Sequence, residues 1–286
     1  MLRLVVATNK QTYERMGDPL KARGIDAEYV QASERTIPLD AGLGAFDAGF
    51  VFPPRLAEGG VVSELLGVPW VNGRETILRS RHKGEALARL SRAGLPTPET
   101  VVVSDPVDES ELVAAFERFD PPVVVKPNAV TRGVGVAKAH DLDSFLGICD
   151  YLDLVHDYKA TGDCSFLVQE YLPDARDYRA MCIDGEYVGA VERRLPDEAL
   201  ESGQWKHNVH RGAEATGVDL PDEHRRWVAR AAQAIGIPFL GIDLLVTDDR
   251  AVVNETNARP TIDDATKYEA GFYDDLADLI RRTAEV

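Results

Sequence analysis

A chain of 286 residues, 44% of them hydrophobic, is long enough to bury one large core or two modest ones. Its 48 acidic against 32 basic residues leave a formal charge of −16, which repels nucleic acid unless a local basic patch intervenes. Three cysteines, Cys149, Cys164 and Cys182, show no C-x-x-C spacing, so a disulfide framework and a thiolate zinc site are excluded in favour of core thiols.

Only eight of the basic residues are lysine, a balance that fits a high-salt cytoplasm or the arginine bias of a GC-rich genome. No apolar run reaches the roughly 18 residues of a membrane span, and Met1-Leu-Arg-Leu-Val-Val-Ala-Thr-Asn leads straight into a polar helix pattern. Neither a membrane segment nor a signal peptide is expected, and the chain is placed in the cytoplasm.

The first segment reads as small α/β: a buried strand at Leu2–Ala7, a helix at Gln11–Ala22 stopped near Gly24, and strands at Ala27–Val30 and Ala48–Phe52. That order predicts a parallel sheet with crossover helices. No glycine fingerprint follows the first strand, which disfavours a nicotinamide oxidoreductase. A helix over Arg81–Ala93 then puts Lys83 on the face that carries Leu87 and Leu90, so this lysine either snorkels to solvent or serves a ligand.

Next come a strand at Thr100–Val103, a helix at Glu109–Phe119 and a buried strand at Val123–Lys126. A glycine loop, a short strand at Val134–Lys138, a helix at Leu142–Leu154 and a strand at Ser165–Tyr171 follow. The loop, Lys126-Pro-Asn-Ala-Val-Thr-Arg-Gly-Val-Gly-Val136, is neither a P-loop nor a dinucleotide fingerprint. A glycine turn can nonetheless form an anion nest, with the preceding lysine as a point charge for phosphate.

The hairpin Asp177–Arg194 turns at Asp184-Gly185, a type I′ signal that pairs Ile183 with Glu186 and, counting back, Arg179 with Ala190. Strand alternation then places Asp177, Arg179, Glu192 and Arg194 on one face. They form either a solvated face of compensating charges or a charged floor beneath a polyanion. The loop beyond holds Lys206-His-Asn-Val-His-Arg-Gly212; His207 and His210 lie three apart without a suitable third ligand, so hydrogen bonding is preferred to zinc.

A helix at Asp222–Ile235 precedes a second hairpin, Phe239–Asn257, and a last helix spans Phe272–Thr283. A three-residue loop, Asp248-Asp-Arg250, pairs Thr247 with Ala251 and sets Asp243 opposite Glu255, with Asn257 further along the same face. Two facing carboxylates repel unless a hard cation joins them, and Asp, Glu and Asn oxygens suit Mg²⁺ that also holds phosphates. In the even register Asp243 is instead a buried, hydrogen-bonded acid.

Taken in order and spacing, six segments resemble the ATP-grasp ligases: Val123–Val136, Val168-Gln-Glu-Tyr-Leu172, Val191-Glu-Arg-Arg194, Lys206–Gly212, Gly241-Ile-Asp243 and Asn254-Glu-Thr-Asn257. The nearest resemblance is to the RimK-like glutamate ligases, which include ribosomal-protein and cofactor-tail glutamylating enzymes. It implies an N-terminal pre-ATP-grasp Rossmann-like α/β domain over 1–75, then a two-lobed α+β ATP-grasp fold over 76–286 with lobes meeting near 170 and 171. It further implies ATP with Mg²⁺, or Mn²⁺ in its place, and carboxylate and amine substrates that are small molecules or protein tails. Homo-oligomerisation is left open.

Carried over by residue, the resemblance puts Lys83 and Lys126 on the phosphates of ATP, under a flap with Arg132, Gly133 and Gly135. Gln169, Glu170, Tyr171 and Leu172 form the adenine hinge, and Asp177 reaches the ribose. Arg179, Arg194 and Arg211 lie near phosphates or acceptor carboxylates, Asn208 near nucleotide or metal, and Lys206 and His207 beside the nucleotide. Arg194, Arg211 and Asn208 are the candidate catalytic groups, and Asp243, Glu255 and Asn257 the metal ligands. The implied reaction is carboxylate–amine ligation through an acylphosphate. Other branches (glutathione-synthetase-like, lysine-biosynthesis-like, small-peptide ligase) and a silent ATP-binding module stay open. Two departures stand out: Lys206-His207 where the family commonly has Arg-Ser, and Asn257-Ala-Arg-Pro-Thr261 in place of Asn-Ala/Ser-Ser-Pro-Gly.

Overall fold

The computed structural model describes all residues except 32, 34, 35, 41, 132, 157–163, 265 and 266. Strand β1 (Leu2–Val6), helix α1 (Lys10–Lys21), β2 (Ile25–Tyr29) and β3 (Ala48–Phe50) open the chain. The three strands pair in parallel in the order β2-β1-β3, as the alternation of apolar strand and amphipathic helix predicts. Asn9 starts α1 by accepting the Thr12 N–H at 2.7 Å. Helix α2 (Leu56–Leu66) follows.

The helix expected over 81–93 is α4 (Lys83–Arg92), and a helix that the sequence reading missed, α3 (Arg74–Arg81), precedes it. His82 between them is extended, with φ −78° and ψ 93°, which breaks the helical hydrogen-bond run. Lys83 opens α4 and is buried on the face that carries Ala86, Leu87 and Leu90.

A four-stranded antiparallel sheet, ordered β4-β7-β5-β6, is built from β4 (Thr100–Ser104), β5 (Val123–Pro127), β6 (Ala137–Ala139) and β7 (Ser165–Glu170). Helices α5 (Glu109–Glu117) and α6 (Leu142–His156) cover one face, where Phe116 and Phe145 pack with ring centroids 5.2 Å apart. The short strand begins at Ala137 instead of Val134 because Gly133 and Gly135 take φ of +64° and +69°, outside any strand conformation.

A five-stranded antiparallel sheet, ordered β10-β9-β8-β11-β12, follows. Its strands are β8 (Arg176–Ile183), β9 (Glu186–Arg194), β10 (Glu214–Val218), β11 (Phe239–Val246) and β12 (Ala251–Asn257). Asp184 and Gly185 have φ of +49° and +85°, as a type I′ turn requires. Helix α7 (Asp197–Glu201) and strand β10 were not legible, since Glu-Ala-Thr-Gly-Val has neither alternation nor a strong apolar content. Helices α8 (Asp222–Ile235) and α9 (Phe272–Ala284) complete the chain.

One hydrophobic core runs from Leu4, Val6 and Phe50 of the parallel sheet to Ile242 and Leu244 of the five-stranded sheet, with Leu276 and Ile280 of α9 between. Buried Asn72 ties the two together: its amide donates to the carbonyls of Phe239 at 2.6 Å and Ala258 at 2.8 Å and accepts the Phe239 N–H at 3.3 Å. This seam fixes the end of β12 against the first segment. Cys149 and Cys182 are buried thiols and Cys164 is half-buried. No described helix is long and apolar enough to cross a membrane.

Candidate functional site

The four-stranded and five-stranded sheets face each other across a cleft of about 570 Å³. Strands β8, β11 and β12 supply its charged wall. In β11–β12, Val246 pairs with Ala251, so the loop is one residue longer than the sequence suggests. A β-bulge at Asn254 compensates, and Asp243 still faces Glu255 with Gly241 opposite Asn257. The facing carboxylates hold, by a different route, and the bulge turns Asn254 into the cleft as well.

The first hairpin needs a correction. Ile183 pairs with Glu186 as expected, but a bulge between Met181 and Cys182 shifts every pair beyond it by one residue. Arg179 lies opposite Val191 and Asp177 opposite Arg193. Asp177 and Arg179 therefore share their face with Arg193, not with Glu192 and Arg194, because one extra residue inverts the faces of the strand beyond it. Arg193 is buried, whereas Arg194 is exposed and pairs with Asp197 at 3.0 Å.

The result is a buried network of two acids and two arginines. Arg179 donates to both oxygens of Asp243 at 2.7 Å each, and Arg193 donates to Asp243 at 2.9 Å and to Asp177 through Nε at 3.1 Å. Three of the roughly four acceptor positions of the Asp243 carboxylate are thus taken. Glu255 is less committed: its nearest cation is the Lys83 ammonium at 3.5 Å. The Asn257 Oδ1 accepts the Arg259 backbone N–H at 2.8 Å. Among the described residues no three His, Cys, Asp or Glu side chains gather as a metal site. Two acids and an amide fit Mg²⁺ only where phosphate oxygens complete the shell.

The opposite wall carries the lysines. Lys126 ends the buried run of β5 and donates to the side chains of Gln169 and Asn254, the latter at 3.1 Å. Buried Gln169 is held in turn by donating to Thr100 at 2.8 Å. Lys83 does not snorkel; it is 8% exposed and donates to the Val130 carbonyl of the glycine loop. Asn128 holds that loop on α4 by accepting the Gly84 N–H at 2.9 Å.

Most sequence-predicted residues converge here: Gly133, Gln169, Glu170, Tyr171, Leu172, Asp177, Arg194, Lys206, His207, Asn208, Asp243 and Glu255 line the cleft beside the two lysines. Gly135, Arg179, Arg211 and Asn257 do not form its wall, and Arg132 lies outside the described residues. Sequence reading missed Arg193 and Asn254, each brought in by a bulge with no pattern signal. It also missed Lys138 and Trp205, which with Tyr171 form a cation–aromatic cluster: the Lys138 ammonium is 4.4 Å from the Tyr171 centroid and 5.4 Å from that of Trp205.

Residues 80–277 match the model of the RimK-like ATP-grasp domain. The chain belongs to the RimK-like ATP-grasp family. It is 32% identical over 209 residues to a probable alpha-L-glutamate ligase of Klebsiella pneumoniae (strain 342), covering 70% of this chain and 63% of that relative, so it spans less than two thirds of the relative's length. A RimK-domain ATP-grasp protein of Sphaerobacter thermophilus DSM 20745 superposes with a TM-score of 0.68 at 23% identity, over 99% of each chain. A D-alanine–D-alanine ligase of Bacillus anthracis, solved with ATP, gives 0.69 at 17% identity, over 100% of this chain and 98% of its own. These likenesses establish the mixed α/β ATP-grasp fold.

The electrostatics of this RimK-like site follow from burial set against pairing. Burial pushes the Lys126 ammonium down to about 8, against the pull of Glu255, with Lys83 adding to the depression. Burial also raises the Asp177 carboxyl to about 6, although Arg193 works the other way. At Asp243 burial opposes ionisation, but Arg179 and Arg193 outweigh it and hold the carboxyl down at about 2. Burial, then Arg193 and Arg194, push His207 below the ordinary imidazole range, and its neutral Nδ1 accepts the Leu195 N–H at 3.1 Å. A Cβ on Gly133 would lie 2.9 Å from the Asn208 Oδ1, so the glycine loop and the Lys206–Gly212 loop meet edge to edge over the cleft.

Proposed function

We propose that this chain is an ATP-dependent carboxylate–amine ligase that works through an acylphosphate. The observation that carries the reading is the meeting of Lys126 from β5 and Lys83 from the start of α4 with Glu255 and Asp243 of β12 and β11. Such a pairing fits a triphosphate with its divalent cation. The chain is taken as a pre-ATP-grasp Rossmann-like domain over 1–75 and an ATP-grasp domain over 76–286, its lobes meeting near 170 and 171. The name of the Klebsiella relative supports an amino acid such as glutamate as one substrate; an amine or carboxylate acceptor is taken as the other. The chain is placed in the cytoplasm in this reading.

In this reading Lys126 and Lys83 neutralise the phosphates, and the Gly133–Gly135 turn closes over them to exclude water. Gln169, Glu170, Tyr171 and Leu172 bind adenine where β7 ends, and Asp177 is the ribose partner. Glu255, with the remaining acceptor position of Asp243 and the Asn257 amide, would hold Mg²⁺, whose role is to neutralise charge between phosphates. The substrate carboxylate attacks the γ-phosphorus and ADP leaves; the amine then attacks the acyl carbon, phosphate leaves, and the amine gives up a proton. Arg194, Arg211, Asn208, Lys206 and His207 are assigned to the substrate side. No protein nucleophile is needed, because positioning and charge carry the reaction.

The test is ADP release from Mg-ATP with a panel of amino acids and amines, products identified by mass spectrometry at low and high salt. Release that requires an acid and an amine together is expected; release independent of both overturns the ligase assignment. A second reading, an ATP-binding module without turnover, draws on the occupation of three Asp243 acceptor positions by two arginines. ATP binding without ADP formation across the panel would select it.

A further inference from the structure

Arg179 and Arg193 of the charged wall have acids beside them, whereas Arg81 and Arg259 have none among the described residues. Arg81 ends α3 and Arg259 follows β12, and each adjoins a member of a buried hydrogen bond in which Ser80 Oγ accepts the Ala258 N–H at 3.0 Å. That bond brings the two half-buried side chains near enough for the Arg81 charge to act on Arg259. Their protein partners are carbonyls of the first segment: Arg259 donates through Nη2 to Pro53, and Arg81 to Pro54 at 3.3 Å.

The Nε and Nη1 donors of Arg259 are buried and have no acceptor among the described residues. Neither arginine forms an ion pair there, in a chain that carries 48 acids. Burial, then Arg81, pushes Arg259 down to about 9, and burial lowers Arg81, with no carboxylate acting on either. A buried, hydrogen-bond-hungry cation next to a second cation is unfavourable unless something anionic fills the fork.

The position is as informative as the charge. Arg81 stands two residues before Lys83, and Arg259 four residues after Glu255. Two chain segments thus run from the phosphate and metal side of the cleft to this seam, over at most roughly 14 Å of backbone from Glu255 to Arg259. Lysines serve as point charges for phosphate, whereas a planar guanidinium with donors on separate edges, as Nε and Nη1 are, can take carboxylate oxygens from more than one direction.

We propose that Arg81 and Arg259 form a carboxylate subsite that holds the unactivated carboxylate of a substrate at the seam between the first segment and the end of β12. The assignment rests on the ligase reading for the identity of its occupant. It makes Arg259 a specificity-determining residue and the first segment a part of the substrate site.

The test is calorimetry on the full chain with L-glutamate, glutarate, L-glutamine and inorganic phosphate, each with and without Mg²⁺ and a non-hydrolysable ATP analogue. Glutarate and L-glutamate should bind, and Arg259→Gln and Arg81→Gln should each weaken them by about 10- to 100-fold while affinity for the ATP analogue holds within about twofold. Arg259→Lys keeps the charge without the fork and should lose most of the same affinity, which covers the case in which the glutamine variant does not fold. Failure of glutarate and L-glutamate to bind, affinities unmoved by the variants, or phosphate binding in their place overturns the subsite. Loss of ATP-analogue binding with an intact Arg259-dependent carboxylate response would instead refute the nucleotide reading and leave the subsite standing.

Discussion

The two walls of the cleft handle charge in opposite ways. On the five-stranded sheet Asp243 and Asp177 are met by Arg179 and Arg193, so most of that charge is cancelled within the protein. On the four-stranded side Lys126 is held by the amides of Gln169 and Asn254, while Lys83, at the start of α4, is held by the Val130 carbonyl and paired with Glu255 at 3.5 Å. Neutral dipoles orient a cation without neutralising it. Lys126 therefore keeps its positive field for phosphate, while the five-stranded sheet is a rigid frame in which Glu255 is less engaged than Asp177 or Asp243. The contrast teaches that counting charges in a cleft is less informative than asking what already satisfies each one.

The largest effect should come from Glu255→Gln, which leaves shape and packing but removes the freest acid. Turnover is expected to fall by about 10³-fold or more, equivalent to the several kcal/mol of charge stabilisation a metal supplies. ADP release at more than about a tenth of the wild-type rate would remove Glu255 from the metal set. Next, Arg193→Ala leaves Asp177 and Asp243 short of a buried partner and should cost about 3–5 kcal/mol of stability in urea denaturation. A change below about 1 kcal/mol would show that the network is not a frame.

On the other wall Lys126→Ala should weaken ATP binding by about 10- to 100-fold by calorimetry with the fold unchanged. The lysine also sets a pH dependence whose sign is fixed. Its folded pKa, about 8, lies below the ordinary 10.5 because burial disfavours the ammonium. Phosphate favours the ammonium, so above pH 8 binding must take up a proton, and affinity should drop by up to about tenfold per pH unit there. A flat affinity between pH 7 and 9.5 would contradict the deep, dipole-held placement of Lys126. The smallest effect belongs to Arg194→Ala: its ion pair with Asp197 is exposed, so stability should move by no more than about 0.5 kcal/mol even if substrate KM rises.

The sequence made much of the fold legible because most elements carry their own signals. The turn at Asp184-Gly185, the helix at Asp222–Ile235 and the valine run of β5 follow from turn chemistry and apolar patterning that act locally. The facing of Asp243 and Glu255 was also legible, although through a loop length that the bulge at Asn254 silently corrected. Where a bulge had no compensating partner, as between Met181 and Cys182, the faces inverted and Arg194 stood in the place of Arg193. Lys83 was ambiguous for another reason: periodicity placed it on the buried face of its helix, but only the fold shows that its ammonium meets the Val130 carbonyl instead of solvent.

By itself the sequence determined the element order, the glycine turns, the family motifs and the set of charged residues from which the site is drawn. Tertiary structure alone decided which of those charges meet. Bulges are set by the fit of a strand to both neighbours, and the isolation of Arg259 from every described acid follows from how the first segment seats on the end of β12. Local patterning acts over a few residues, whereas pairing and burial are properties of segments that lie far apart in sequence and close only in the folded chain.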